Sequence, residues 1–163
     1  MSQVTLHTNK GDILIQLHDD RCPETVAHFI ELVKAGFYDG SIFHRVIPSF
    51  VIQGGGYQSG MAKIIATDSV VNEAKSAASN TRGTVAMARL QQPDSATTQF
   101  FINLADNSSL DYRGNQNAGY CVFGEVVEGM ETVDAIAAVE TGRRGMLVDV
   151  PVSDVVIEGV DVA

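Results

Sequence analysis

The residue types that could do chemistry are concentrated in one segment, residues 43–56. If this segment is a strand, Arg45 shares a face with apolar neighbours, and a charged guanidinium there is costly unless it is paired or functional. An irregularity around the proline of the segment would bring Phe50 and Gln53 to the side of Arg45. These three side chains would then form a pocket with an apolar floor and a few placed donors. An edge strand with a solvated arginine accounts for the same residues equally well.

His44 is the alternative source of chemistry in this segment. Neighbouring side chains on a strand face opposite ways, so if Arg45 faces a groove, His44 faces inward. We therefore expect a hydrogen-bonded core histidine rather than an acid–base group. A hydrolase built on His44 would also need a nucleophile motif, and the sequence has none. The glycines at 54–56 lack the spacing of a nucleotide-binding loop, which favours close backbone packing or a bulge.

A double phenylalanine, Phe100-Phe101, follows Gln99 farther along the chain. Consecutive strand residues point to opposite faces, so if one ring fills a core, the other needs cover from a helix or a ligand groove. A structural role for both rings is the commoner case.

The elements that must position these residues begin with a predicted hairpin. Residues 4–8 and 13–17 alternate between apolar and polar side chains, which is typical of two strands with one buried face. A two-residue turn at residues 10–11 would place Leu6 opposite Ile15 and keep the apolar residues of both strands on one face.

Two helices and several short strands are predicted after the hairpin. Pro23 suits a first helical position, and an apolar stripe that ends before Gly36 predicts a helix over 23–35. A second helix is predicted near 130–139. The remaining predicted strands are 43–54, 84–89, 99–104, 120–127 and 154–162. The irregular stretches are 55–80 and 105–119, and loops of that length are usually functional. This pattern predicts a mainly β (α+β) fold, a closed barrel whose ends the helices plug.

Length and composition limit the function classes. The chain has 163 residues, 45% of them hydrophobic, which predicts one domain over residues 1–163. A net charge of −9 disfavours nucleic-acid binding. The sequence shows no signal peptide and no apolar run long enough to cross a bilayer, so we expect a cytoplasmic protein with no membrane partner. No apolar stripe is left over after the core is filled, so we expect a monomer.

Cysteine and histidine spacing predicts neither a metal site nor a cofactor. The four histidines and two cysteines lack ligand spacing. Cys22 and Cys121 could form one disulfide, but reduced thiols are the more common state for such a pair without a secretory signal.

Several motifs, taken in order, resemble the cyclophilin family of peptidyl-prolyl cis–trans isomerases, and most of all its bacterial cytoplasmic branch. They are the F-H-R-x-I-x-x-F-x-x-Q-G-G block at 43–55, R-G-T-x-x-M-A at 82–88, a variant of S-Q-F-F-I at 98–102 and F-G-x-V-x-x-G-M at 123–130. The resemblance spans roughly residues 4–161. It implies an eight-stranded antiparallel barrel capped by two helices, with isomerase activity on X-Pro bonds and a part in protein folding. A non-catalytic module that holds proline-containing partners is the alternative.

The resemblance also implies roles for individual residues. Arg45 matches the family's catalytic arginine, Phe50 and Phe101 its proline pocket, and Gln53 a contact to the peptide. Val51 stands where many members carry methionine, so a smaller side chain should line the pocket. The other positions expected to flank a bound peptide are Ala88, Arg89, Leu90, Gln99, Leu110 and Tyr120. The expected ligands are proline-containing peptides and unfolded or folding protein chains.

Two departures from the family pattern affect inhibitor binding. Ser109 stands where many relatives have tryptophan, and Tyr120 where they have histidine. The tryptophan is linked in the family to tight cyclosporin binding, so we expect weak cyclosporin binding with isomerase activity retained.

Overall fold

The computed structural model describes residues 2–65 and 68–163, so residues 66–67 of the predicted loop over 55–80 lie outside it. Its strands are β1 Gln3–Thr8, β2 Gly11–Leu17, β3 Ser41–Ile47, β4 Val51–Gln58, β5 Thr84–Met87, β6 Phe100–Asn103, β7 Val122–Glu128, β8 Thr141–Arg144, β9 Leu147–Pro151 and β10 Val156–Val162. Its helices are α1 Pro23–Lys34 and α2 Met130–Ala137, and a short 3-10 helix covers Ser108–Leu110.

Eight of these strands form a closed antiparallel barrel, as predicted. Their order around the barrel is β1-β10-β3-β4-β6-β5-β7-β2, and β2 pairs again with β1. Strands β8 and β9 form a separate two-stranded sheet. This small sheet was missed because residues 141–151 carry no regular alternation of apolar and polar side chains.

Aromatic rings pack against one another in the hydrophobic core, among a larger number of aliphatic side chains. Phe29 of α1 lies 4.9 Å from Phe123 and 5.9 Å from Phe100, measured between ring centroids. Val133 and Ile136 of α2 are fully buried in the same core. Both helices therefore bury their apolar face against the barrel, and the predicted helix positions are confirmed to within two residues.

The predicted register of the first hairpin is wrong by two residues. Leu6 pairs with Ile13 rather than Ile15, because the turn lies at residues 9–10. The Thr8 hydroxyl, which donates to the Gly11 carbonyl over 2.6 Å, closes that turn. A shift of two residues leaves the same side chains on the buried face, so the hydrophobic pattern did not distinguish the two registers.

The segment predicted as one strand over 43–54 is two strands. The chain reverses at residues 48–50, where Ser49 has a φ of +65° and the Phe50 amide donates to the Ile47 carbonyl over 3.0 Å. Strands β3 and β4 then pair, with Arg45 directly across from Gln53. The pairing also shifts between Phe43 and Arg45, so Phe43 enters the core while Arg45 does not share its face.

Candidate functional site

A groove of about 260 Å³ opens on the outer face of the barrel between β3–β4, β5–β6 and the chain that precedes β7. Its lining residues are Arg45, Phe50, Val51, Gln53, Ala88, Arg89, Phe101, Leu110 and Tyr120. Every one of them was named from the sequence. The groove combines aromatic and aliphatic walls with two guanidinium groups and one carboxamide, a composition typical of a ligand site.

Arg45 is held by a short chain of hydrogen bonds. Its Nη1 donates to Gln53 Oε1 over 3.1 Å, and Gln53 Nε2 donates to Gln99 Oε1 over 2.9 Å. Within residues 2–65 and 68–163, Gln53 is the single hydrogen-bond partner of the Arg45 side chain, which forms no ion pair. The guanidinium is therefore oriented, and its other N–H groups remain available to a ligand.

Glycine residues let Gln99 lie this close to the strand. A Cβ on Gly56 would come within 2.6 Å of the Gln99 side chain, and one on Gly55 within 2.6 Å of the Thr98 carbonyl oxygen. Gly55 also has a φ of +86°, which strains any other residue. The close backbone packing expected at these glycines is confirmed.

Phe101 forms the apolar floor of the groove. It is 4% exposed and packs with Val51 and Phe50 in a cluster separate from the barrel core. Phe100 points the other way and is fully buried in the core. The two rings thus face opposite sides of β6. Phe101, the ring outside the core, lines the groove rather than packing under a helix.

Tyr120 and Arg89 build one wall. The Tyr120 ring stands edge-on to Phe101 with centroids 5.7 Å apart, and the Arg89 guanidinium carbon lies 4.5 Å from the Tyr120 centroid. Arg89 also donates to the carbonyl oxygens of Gly119 and Leu90, over 3.0 Å and 2.9 Å. These contacts fix the cation over the ring, so Arg89 supports the wall while Arg45 stays open to a ligand.

Leu110 reaches the groove from the last position of the 3-10 helix Ser108–Leu110, and Asp111 secures the segment that follows this helix. The Asp111 carboxylate accepts hydrogen bonds from the Ser79 hydroxyl and from the Asn80 backbone and side-chain N–H groups. Partial burial alone would raise the pKa of Asp111, but the bonds from Ser79 and Asn80 outweigh it and lower that pKa. The ionised carboxylate therefore holds two loops together beside the groove.

His44 is buried, as expected, with a side chain packed 4.7 Å from the Tyr57 ring, measured between centroids. The expectation that it is hydrogen-bonded is not met at Nδ1, which has no partner in the described part of the chain. Burial, and next the charge of Arg45, lower the pKa of His44 to about 4. The imidazole is therefore neutral near pH 7, and it does not line the groove.

Two residues named from the sequence lie beside the groove rather than in it. Gln99 and Leu90 line an adjoining cleft, and Leu90 is 72% exposed. Leu90 lies beyond the end of β5, so strand pairing does not turn it toward Arg45. Lys63 and Ile64 line the same cleft and were missed, because residues 55–80 carry no periodic pattern that would assign them to a surface.

Among the residues that the structure describes, no cluster of three or more His, Cys, Asp or Glu side chains is arranged to hold a metal ion. Over the same residues, no helix has the length and apolar character needed to cross a bilayer.

Known proteins resemble the chain over almost its whole length. The family described as cyclophilin type peptidyl-prolyl cis-trans isomerase/CLD matches residues 3–162. Peptidyl-prolyl cis-trans isomerase B of Escherichia coli (strain K12) is 54% identical over 162 residues, which cover 98% of this chain and 99% of the relative. A peptidyl-prolyl cis-trans isomerase of Acinetobacter baylyi is 47% identical, over 99% of this chain and 85% of its own length.

Solved structures support the fold. A Cryptosporidium parvum cyclophilin type peptidyl-prolyl cis-trans isomerase, crystallised in the presence of the dipeptide Ala-Pro, superposes with a TM-score of 0.81. Its sequence is 24% identical, and the match covers 99% of this chain and 98% of that one. A cyclophilin from Hirschia baltica, 21% identical, gives a TM-score of 0.77 over 98% of this chain and 73% of its own. At these identities the likeness concerns the fold alone.

Proposed function

The chain belongs to the cyclophilin-type peptidyl-prolyl cis-trans isomerases, and we propose that its Arg45 catalyses rotation about X-Pro bonds while the proline ring packs on Phe101. Isomerisation of peptidyl-prolyl bonds is the activity of the family. The assignment of that activity to named side chains is the proposal.

The reaction explains why the groove needs no nucleophile. A planar amide resists rotation with a barrier of about 18–20 kcal/mol, because resonance gives its C–N bond partial double-bond character. The cis and trans forms of X-Pro differ little in free energy, yet they exchange over tens to hundreds of seconds. No covalent bond breaks. A thousandfold acceleration needs about 4 kcal/mol of stabilisation that acts on the twisted state alone.

A guanidinium can supply that selective stabilisation. In the twisted transition state the proline nitrogen has lost amide resonance, and its localised lone pair accepts a hydrogen bond. The nitrogen of a planar amide accepts one poorly. An N–H of Arg45 aimed at this nitrogen therefore binds the transition state more strongly than either ground state.

The observation that carries the proposal is the state of Arg45 in the groove. Its guanidinium is oriented by one hydrogen bond to Gln53, keeps other N–H groups free, and shares the groove with the Phe101 ring. Arg89, the other groove arginine, has its guanidinium occupied by backbone carbonyl groups and by the Tyr120 ring.

We also propose which residues hold the bound peptide. Phe50 and Phe101 hold the pyrrolidine ring, Val51 lines that pocket with a smaller side chain than methionine, and Gln53 donates to a backbone carbonyl. The residues that flank the bound peptide are Ala88, Arg89, Leu90, Gln99, Leu110 and Tyr120. Crystallisation of the Cryptosporidium parvum relative in the presence of Ala-Pro supports a proline-containing ligand.

The partners and setting are also proposed. We expect residues 1–163 to act as one monomeric domain on unfolded and folding chains in the cytoplasm, without nucleic acid, membrane or cofactor. Cyclosporin should bind weakly, because Ser109, which is exposed and does not line the groove, stands where the family members that bind it tightly carry tryptophan. Inhibition of the isomerase at nanomolar cyclosporin would contradict this expectation.

The test is an Arg45→Ala variant assayed on a short Ala-Pro peptide by NMR exchange or by a protease-coupled measurement. Loss of the transition-state donor should lower kcat/KM by about 100-fold or more. The peptide Kd, measured by titration, should change only a few-fold, because ring packing on Phe101 is retained.

Arg143→Ala is the matched control, because it removes an exposed arginine far from the groove residues in sequence. Its rate should equal that of the parent. An Arg45→Ala variant that isomerises the peptide near the parent rate would remove Arg45 from the mechanism. A parent protein that binds the peptide without accelerating exchange would favour the non-catalytic module.

A further inference from the structure

Two cysteines that are far apart in the sequence meet behind the groove. Cys22 and Cys121 are both free thiols, and their sulfur atoms lie 3.4 Å apart. Cys22 is fully buried and Cys121 is 4% exposed. A disulfide has a sulfur–sulfur distance of about 2.05 Å. The two sulfurs therefore need only a small approach to become bonded.

The backbone holds both sulfurs in place. Cys22 occupies the N-cap of α1, where its carbonyl accepts from the Val26 amide over 2.9 Å. Cys121 directly precedes β7, and its carbonyl accepts from the Met87 amide over 3.1 Å. The Cys22 thiol also lies 3.3 Å from the Val122 carbonyl oxygen, to which it donates. The proximity of the sulfurs thus follows from packing a helix start against a barrel strand.

The two thiols differ in access. A narrow cleft whose lining includes Thr25, Met87 and Arg89 reaches Cys121. Its volume is about 10 Å³. That is roughly the room of one water molecule. The cleft also borders Val71, which is 42% exposed. Cys22 does not line it, so a small oxidant meets Cys121 first.

The two thiols also differ in acidity, and this difference again favours reaction at Cys121. The hydrogen-bonded contact between Cys121 and Cys22, together with that to the Thr25 hydroxyl 3.7 Å away, lowers the pKa of Cys121 against the opposing effects of burial and of the Glu73 charge. The contact with Cys121, and next burial, raise the pKa of Cys22. Thiolate is the reactive form, so Cys121 is the more reactive of the two.

We propose that Cys22 and Cys121 form a peroxide-sensitive pair, in which Cys121 is oxidised first and Cys22 then closes an intramolecular disulfide. The Cys121 thiolate attacks one oxygen of hydrogen peroxide; an S–O bond forms, the O–O bond breaks, and the departing hydroxide takes up a proton and leaves as water. The Cys22 sulfur then attacks the Cys121 sulfur; the S–S bond forms, the S–O bond breaks, and a second water carries away the Cys22 proton. Two thiols are oxidised and one peroxide is reduced.

The disulfide would join the start of α1 to the strand beside Tyr120. It would close a loop of roughly 100 residues, and constraining so long a loop disfavours the unfolded chain. Oxidation should therefore make the fold more stable, independently of the isomerase reaction.

The experiment treats the reduced, full-length protein with hydrogen peroxide and compares it with the same sample after dithiothreitol. Intact mass should fall by two hydrogen atoms, and peptide mapping should show Cys22 linked to Cys121. The thermal midpoint should rise by about 5–15 °C and return on reduction. In Cys22→Ala the reaction should stop at a Cys121 sulfenic acid that dimedone traps, and in Cys121→Ala the folded protein should not react.

Three results would overturn the proposal. The first is that the folded parent still has two titratable thiols after peroxide treatment. The second is a Cys121 sulfinic acid with Cys22 still free, and the third is disulfides between molecules in place of the internal bond. The parent with and without reductant decides between these even if a variant folds poorly. Because the readouts are mass, thiol content and melting, their failure leaves the assignment of Arg45 untouched.

Discussion

His44 and Arg45 are neighbours on β3 with opposite surroundings. His44 is buried against Tyr57, whereas Arg45 lies in the groove beside Gln53. The positive charge of Arg45 adds to the effect of burial in keeping His44 neutral. Arg45 is therefore available to a ligand, whereas a positive charge on the His44 imidazole is disfavoured.

The pH dependence of stability should carry the signature of His44. Its pKa is about 4 in the folded protein and 6.5 ordinarily, so as the pH falls the unfolded chain takes up this proton first. The contribution of His44 to stability is present above about pH 6.5 and is lost progressively toward pH 4, by about 3 kcal/mol in all. Urea unfolding of the parent and of His44→Gln across this range should show a difference that shrinks with acid. A constant difference would contradict the buried, neutral imidazole.

At the scale of elements, the groove is assembled by pieces that are distant in the chain. The β3–β4 hairpin supplies Arg45 and Gln53, β6 supplies Phe101, and the loop before β7 supplies Leu110 and Tyr120. Strand pairing positions the first three directly, because Gln53 pairs with both Arg45 and Phe101. Leu110 and Tyr120 lie outside the strands, where a backbone hydrogen bond from the Tyr120 amide to the Leu110 carbonyl over 2.8 Å and the side chain of Asp111 hold them.

Asp111 is the anchor that we expect to matter most. Asp111→Ala removes an acceptor for Ser79 and Asn80 and leaves a buried N–H unpaired, so the free energy of unfolding should fall by about 2 kcal/mol. Because Leu110 loses its support, KM for a proline peptide should rise several-fold while kcat changes less. Urea unfolding and steady-state kinetics measure the two effects.

Asp20→Ala is the matched control for this prediction, since it removes the charge of an exposed aspartate. It should alter neither stability nor KM appreciably. An Asp111→Ala protein with the stability and KM of this control would show that the loop is held by other contacts.

At the scale of the whole molecule, closure of the barrel depends on its last strand. β10 pairs with β1 on one side and β3 on the other, and it buries Ile157 completely. The first and last strands of the chain are thus neighbours. Without β10 the barrel would open at two edges and lose part of its core.

Removal of residues 155–163 should therefore abolish cooperative unfolding. The truncated chain loses the buried side chains of Val155 and Ile157 together with both ladders of β10. Near-UV circular dichroism and thermal melting should show no sharp transition, whereas removal of Ala163 alone should preserve it. A sharp melt from the shorter chain would mean that the remaining seven barrel strands form a stable sheet.

Local patterns in the sequence were enough to predict the helices and most strands, because hydrophobic periodicity indicates which face of an element is buried. The motifs at 43–55, 82–88, 98–102 and 123–130 were enough for the family and for six of the nine residues that line the groove. The other three, Arg89, Leu110 and Tyr120, lie outside these motifs and came from the wider resemblance over roughly residues 4–161. The resemblance placed Leu90 and Gln99 less well, since it names residues but not the direction in which a loop residue points.

The sequence by itself thus determined the class of fold and the composition of the groove. Only the tertiary structure decided the register of the first hairpin, the reversal at residues 48–50, the open state of Arg45 and the meeting of Cys22 with Cys121. The reason is physical. Hydrophobic periodicity records burial along one element, whereas register, side-chain hydrogen bonds and sulfur–sulfur contacts depend on pairings between residues that only closure of the barrel brings together.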